Sequence, residues 1–145
     1  MSVSSAISID PPILTSGEKL ALNTISIPTT FYQSSSTIYT TTTILDAGTY
    51  LLTGQVLVSS GISNLSFDAS LEVVVPNPTT TYIVNKTWSN NATNGSFIDN
   101  DTLNLTCVLD IPTSTTITIN VLGTPNPVTP SGISIQGTID ILTIN

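Results

Sequence analysis

The chain contains no histidine, a single cysteine and only two basic residues among its 145. Each shortage removes a class of function. Without histidine there is no Ser-His-Asp or Cys-His nucleophile pair, and the commonest general base is missing. Zinc sites of the familiar kind draw on His and Cys ligands, so they go as well. Cys107, alone, can form neither an intrachain disulfide nor a thiolate metal site. Lys19 and Lys86 stand against nine acids and leave a net charge of −7. Nucleic-acid binding and polybasic membrane contact both need clustered Lys and Arg, so neither is expected. No apolar run approaches the roughly 18 residues of a membrane span. No P-loop or Gly-x-Gly-x-x-Gly offers a nucleotide an anchor.

Charged residues make up only 8% of the chain, about a third of the usual share for a soluble domain. Thr, Ser, Ile, Asn and Val fill their place. A polar but uncharged surface of this kind suits a protein covered by neighbours, by glycans or by an extracellular milieu. Hydrophobic residues reach 39%, enough for a real core, and the length fits one domain over residues 1–145.

What is present points to β-structure. β-Branched residues occur throughout and no long helix-forming stretch interrupts them. Apolar residues recur with period two: Ile7 and Ile9, Leu20 and Leu22, Ile25 and Ile27, Tyr50 and Leu52, Val56 and Val58, Leu65 and Phe67. Leu71, Val73 and Val75 continue the pattern, followed by Leu103 to Leu109, Ile117 to Val121, Ile133 to Ile135 and Ile139 to Ile141. Turn formers separate these runs, among them Asp46-Ala47-Gly48, Ser60-Gly61, Pro76-Asn77-Pro78, Asn94-Gly95 and Pro125-Asn126-Pro127. The pattern predicts an all-β, antiparallel, jelly-roll-like sandwich of eight to ten strands. Residues 1–18 read as an N-terminal arm or an edge strand, and Gln33 to Thr43 as a loop leading into a strand with a polar face. Asn85 to Asn100 reads as a long loop at one end of the sandwich, where binding features tend to sit. Cys107 falls in the alternating run Leu103, Leu105, Cys107, Leu109, as a core thiol would.

Candidate site residues gather in that 85–100 loop. Trp88, with Tyr82 nearby, offers an aromatic contact for a glycan or a partner protein, although a lone Trp more often closes the end of a core. Asn91 and Asn94 are candidate contacts beside it. Six Asn-x-Ser/Thr triplets begin at Asn64, Asn85, Asn91, Asn94, Asn100 and Asn104; Asn85, Asn91 and Asn94 are the plausible glycan acceptors if any are used. Asp99-Asn100-Asp101 clusters hard oxygen ligands that could hold calcium. It lacks the EF-hand spacing, and a polar turn is the preferred reading. Paired carboxylates for glycoside hydrolysis are the one catalytic chemistry left open, but most of the acids lie beside turn residues. No enzyme activity, metal or cofactor is expected.

The segment Ile44-Leu-Asp-Ala-Gly-Thr-Tyr-Leu-Leu-Thr-Gly-Gln-Val56 resembles the part of C1q/TNF-like jelly rolls in which Gly-x-Tyr follows a short turn and opens an apolar strand. Gly48 and Tyr50 match that pattern, while Leu52 stands where the family has an aromatic. Leu103 to Leu109, Ile117 to Val121 and the ending Ile135 to Ile144 look like its late strands. Asp110-Ile111-Pro112 departs from the Gly-Asp pair the family carries there. The resemblance implies a symmetric oligomer, with a trimer favoured and a pentamer possible. It occurs in extracellular ligands and in virus particles, as minor capsid, decoration or fibre-head proteins. The residues Met1 to Asp10 form no recognisable secretory signal. With the absent disulfide and the Thr/Asn/Ile-rich surface, this favours the virion setting, with synthesis in a host cytoplasm and other capsid proteins as partners. The competing expectation is a glycan- or receptor-binding module that uses the 85–100 loop.

Overall fold

A computed structural model describes residues 21–33, 35–60, 65–90, 101–126 and 132–145. The readings placed on residues 1–18, Asn64, Asn91, Asn94 and Asp99-Asn100 lie outside them. Among the described residues there are eight strands and no helix: β1 (Leu22–Phe31), β2 (Thr37–Leu45), β3 (Gly48–Ser60), β4 (Leu65–Val75), β5 (Thr80–Asn90), β6 (Asp101–Ile111), β7 (Thr115–Asn126) and β8 (Ile133–Thr143). They form two four-stranded sheets, sheet I in the order β1-β8-β3-β6 and sheet II in the order β2-β7-β4-β5. Every paired neighbour is antiparallel. The chain changes sheet at every connection except the β4–β5 hairpin. That winding gives two interlocked Greek keys, the jelly-roll arrangement.

Period-two alternation is what makes this packing available. Leu52, Val56 and Val58 of β3 point inward from sheet I, and so do Leu103 and Leu109 of β6 and Ile133, Ile135, Ile139 and Ile141 of β8. Phe67, Leu71 and Val73 of β4 meet them from sheet II, with Ile117, Ile119 and Val121 of β7. All of these are at most 2% exposed, and burying each such side chain contributes on the order of 1.5–3 kcal/mol. The two-residue turn Asp46-Ala47 carries the chain from β2 to β3. It is held by Tyr50, whose Oη donates to the Asp46 carbonyl at 2.8 Å, and by Ser114, whose Oγ donates to Asp46 Oδ1 at 3.3 Å. The β4–β5 turn places Asn77 at φ 57, a left-handed conformation that Asn tolerates because its short amide can bond locally.

Three sequence expectations change. Residues 85–90 are not loop: β5 runs on through them to Asn90, in register with β4 as far as Leu65. Pro125 and Asn126 are not a turn but the end of β7. The proline is tolerated because β2 gives out first: the last β2–β7 pair is Thr37 with Leu122. The Gly123 N–H still reaches Ser36 O at 2.7 Å, so two residues on Pro125 turns its missing donor past the start of β2. Leu22 is 61% exposed, on the opposite face of β1 from Ile27.

Candidate assembly surface

Sandwich strands show one face to the core and the other outward, so the registers fix which outward side chains become neighbours. On sheet II that outward face is polar and tied together side chain to side chain. Thr40 Oγ1 donates to Asn120 Oδ1 at 2.7 Å, and Asn120 Nδ2 donates to Glu72 Oε1 at 2.9 Å. Thr87 Oγ1 donates to Asp68 Oδ1 at 2.6 Å. Ladders of this kind satisfy the face internally.

Sheet I is different. Leu22 pairs with Leu142, Leu142 with Leu51 and Leu51 with Val108. One apolar row therefore crosses all four strands on the outward face. Leu22 is 61% exposed, Val108 49%, and Ile144, just past the end of β8, 40%. Leu51 and Leu142 between them are half-buried. Phe31, also exposed, lies on the same sheet. Among the described residues of sheet II the exposed large hydrophobics are Ile44 and Ile83, on its two opposite edge strands. An apolar row that crosses a whole sheet and is open at both ends is the kind of feature that marks a contact surface.

Trp88 and Tyr82 do not form one aromatic platform. Both project from the core-facing side of β5, but six residues apart along an extended strand, about 20 Å. Trp88 stacks on Phe67 with ring centroids 6.0 Å apart and an interplanar angle of 21°. Its Nε1 donates to Asp101 Oδ2 at 2.7 Å. Lys86 Nζ lies 2.7 Å from the same oxygen and 5.7 Å from the Trp88 ring centroid. Since β5 belongs to sheet II and β6 to sheet I, this group fastens the two sheets along one side. Asp101 is thereby committed to a latch. The Lys86 ammonium, the Trp88 indole N–H and the Thr102 backbone N–H lower its pKa from 3.8 to about 2.

The sign of the acid response follows. A depressed carboxylate contributes stability that is present above about pH 3.8 and lost as pH falls through about 2. Urea midpoints of the native chain are expected to drop between pH 4 and pH 2, and Asp101→Asn to remove part of that drop. The effect is modest, because Lys86 and Asp101 keep 46% and 38% of their side chains exposed and water screens the pair. An identical acid profile in Asp101→Asn would show that the latch contributes nothing.

Tyr82 instead lines a cleft of 510 Å³ at one end of the sandwich, between the β4–β5 and β6–β7 turns. Asn77, Asp110 and Ser114 are among its walls. Asn85, in β5, is exposed on the outward face of sheet II, paired across to Ser70. Cys107 is half-buried against the core, and burial raises its thiol to about 11. It is therefore protonated at neutral pH, which suits packing rather than nucleophilic chemistry. No cluster of three His, Cys, Asp or Glu residues capable of holding a metal occurs among the described residues. No helix there is long and apolar enough to cross a membrane.

The strand order defines the class: an eight-stranded antiparallel jelly roll. By sequence, no protein-family model and no curated protein matches the chain. By structure it is similar to chains from infectious bursal disease virus. A structure of the Gx strain aligns with a TM-score of 0.57 at 14% identity, over 96% of this chain and 36% of that one. The T13 viral particle aligns at 0.54 and 17% identity, over 96% and 35%. The VP2 subviral particle aligns at 0.51 and 16%, over 96% and 37%. This chain thus spans little more than a third of the length of the chains it matches, and the likeness is one of fold.

Proposed function

We infer that this chain is a structural component of a virus particle, a jelly-roll subunit of the minor capsid or decoration kind that assembles as a symmetric oligomer. It acts by contact and without catalysis, in the virion, against other capsid proteins. The observation that carries this reading is the apolar row across sheet I, on a fold whose solved neighbours come from virus particles. The C1q/TNF-like subtype belongs to the same proposal. Its support is that Gly48 and Tyr50 open β3, where the resemblance places an apolar strand. Quantitative mass spectrometry of gradient-purified particles tests the role: the chain is expected at a fixed ratio to the major shell protein. Its absence from intact particles would overturn the reading.

The cleft favours a second reading. An end cleft with Tyr82, Asn77 and Asp110 among its walls brings an aromatic side chain together with polar groups of the sort a saccharide uses. It adds a second candidate glycan surface, at the end of β5 opposite to the 85–100 stretch. Glycan-array binding that Tyr82→Ala removes and Trp88→Phe keeps would support it. An array without signal would dismiss it.

A further inference from the structure

The rows flanking the apolar one on sheet I narrow what can cover it. On one side, Thr24, Asp140, Thr53 and Thr106 line up across the strands. On the other lie Thr49 and Asp110, with Ile144 two residues beyond Leu142. Asp140 and Asp110 are the carboxylates of these two rows, and each accepts a threonine hydroxyl, from Thr24 at 2.7 Å and from Thr49 at 3.2 Å. What covers this face must be apolar across the middle and must keep its own charges away from these two carboxylates. The same face on another copy is apolar across the middle and meets the second condition when its carboxylates fall over other residues. Its size is adequate: four strands about 4.8 Å apart and about eleven residues long present roughly 700 Å², against about 800 Å² per partner in a standard stable interface.

We propose that the outer face of sheet I packs on the same face of a second copy, about a two-fold axis along the row Leu22, Leu142, Leu51, Val108. This deepens the assembly reading and rests on it, with a dimer in place of the trimer or pentamer that the C1q/TNF-like resemblance implies. About that axis each strand lies over its own counterpart running in the opposite direction, and each residue of the row meets itself. The flanking rows exchange partners. Asp140 comes over Ile144 of the second copy, and Asp110 over Thr106 of the second copy. Equivalent carboxylates then stand two rows, about 14 Å, apart along the strands, and Asp140 and Asp110 of the second copy, which come to share a row, stand two strand spacings, about 10 Å, apart, both beyond the Debye length of about 8 Å. An axis parallel to the strands would instead bring Asp140 within one strand spacing, about 5 Å laterally, of its equivalent. Two sheets stacked in the proposed way pack about 10 Å apart with strands aligned to within about 30°.

Val108 is the probe, because it is 49% exposed on edge strand β6 and a charge there leaves the core intact. Native mass spectrometry and sedimentation of the full chain are expected to show a dimer. Val108→Glu and Val108→Lys, each with an unchanged far-UV circular dichroism spectrum, are expected to weaken it at least about tenfold. Thr42→Glu, on the outward face of sheet II, is expected to leave it unchanged. Since Val108 meets itself, mixing the Glu and Lys variants restores a heterodimer. A wild-type monomer at about 1 mM, a mass of three or five copies, or a dimer indifferent to both Val108 variants overturns the proposal. A mixture that stays monomeric overturns the axis. Any of these failures leaves the presence of the chain in particles, measured separately, as it stands.

Discussion

Replacing Gly137 with alanine is expected to destabilise the fold by about 3 kcal/mol or more, because of where the added methyl group would stand. Gly137 sits in β8 with β1 on one side and β3 on the other, paired with Ile27 and with Val56. A Cβ built there would stand 2.1 Å from the Gln55 carbonyl oxygen and 2.9 Å from Val56 Cα. Both are backbone atoms of the neighbouring strand, so no rotamer change can relieve the contact. Relief requires β8 and β3 to part at the centre of sheet I, where both carry ladder bonds and core side chains. On the opposite side β1 has its register irregularity between Ile27 and Thr30, so the close approach and the irregular pairing meet at one point of the sheet. Thermal unfolding is the measurement, with an expected fall of roughly 10 °C for a domain of this size. Gly132→Ala provides the contrast. Its φ of 86 puts a cost in backbone strain, about 1–2 kcal/mol. Equal losses at the two positions would mean that the approach of β3 to β8 is not a constraint.

The inward half of each strand was legible in the sequence, because one rule determines it. Leu52, Val56 and Val58, or Ile139 and Ile141, keep one parity along their strands, and all are buried. The outward half was not. Leu51 and Leu142 sit at the wrong parity for the core and look like scattered exceptions to the alternation. Only the pairing of β8 with both β1 and β3 shows that they stand in line with Leu22 and Val108. Register depends on contacts far apart in the chain, which a local period cannot carry. The end of β5 was hidden for a related reason. Asn85, Ser89 and Asn90 are turn-prone residues, and the Asn-rich sequence that follows suggests that the loop has begun. What holds that stretch in the sheet is tertiary: Trp88 stacked on Phe67 and bonded to Asp101, with Lys86 beside it. Lys86 and Asp101 look unrelated along the chain, fifteen positions apart, until the two sheets close.

Phe67→Ala is the other change expected to have a large effect, about 3–5 kcal/mol, and it is coupled to a glycine in a way that a stability cycle can read. Phe67 is fully buried, and its ring lies over Gly123 of the adjacent strand β7. A Cβ added at Gly123 would fall 2.6 Å from Phe67 Cζ, 2.8 Å from Phe67 Cε1 and 2.7 Å from Ile38 Cδ1. The ring is also the support on which Trp88 rests, so its removal takes away a stacking contact of about 0.5–1.5 kcal/mol along with the cavity cost. Gly123→Ala alone is expected to destabilise by about 1–3 kcal/mol through overpacking, since the ring is fully buried and backed by Trp88. In the Phe67→Ala background the obstructing ring is gone and the added methyl group occupies part of the space it leaves. The double variant is therefore expected to be more stable than the sum of the single losses predicts, by about 1–3 kcal/mol of coupling. Urea unfolding of the four proteins measures it. Strict additivity would show that Gly123 is there for some reason other than to seat the Phe67 ring.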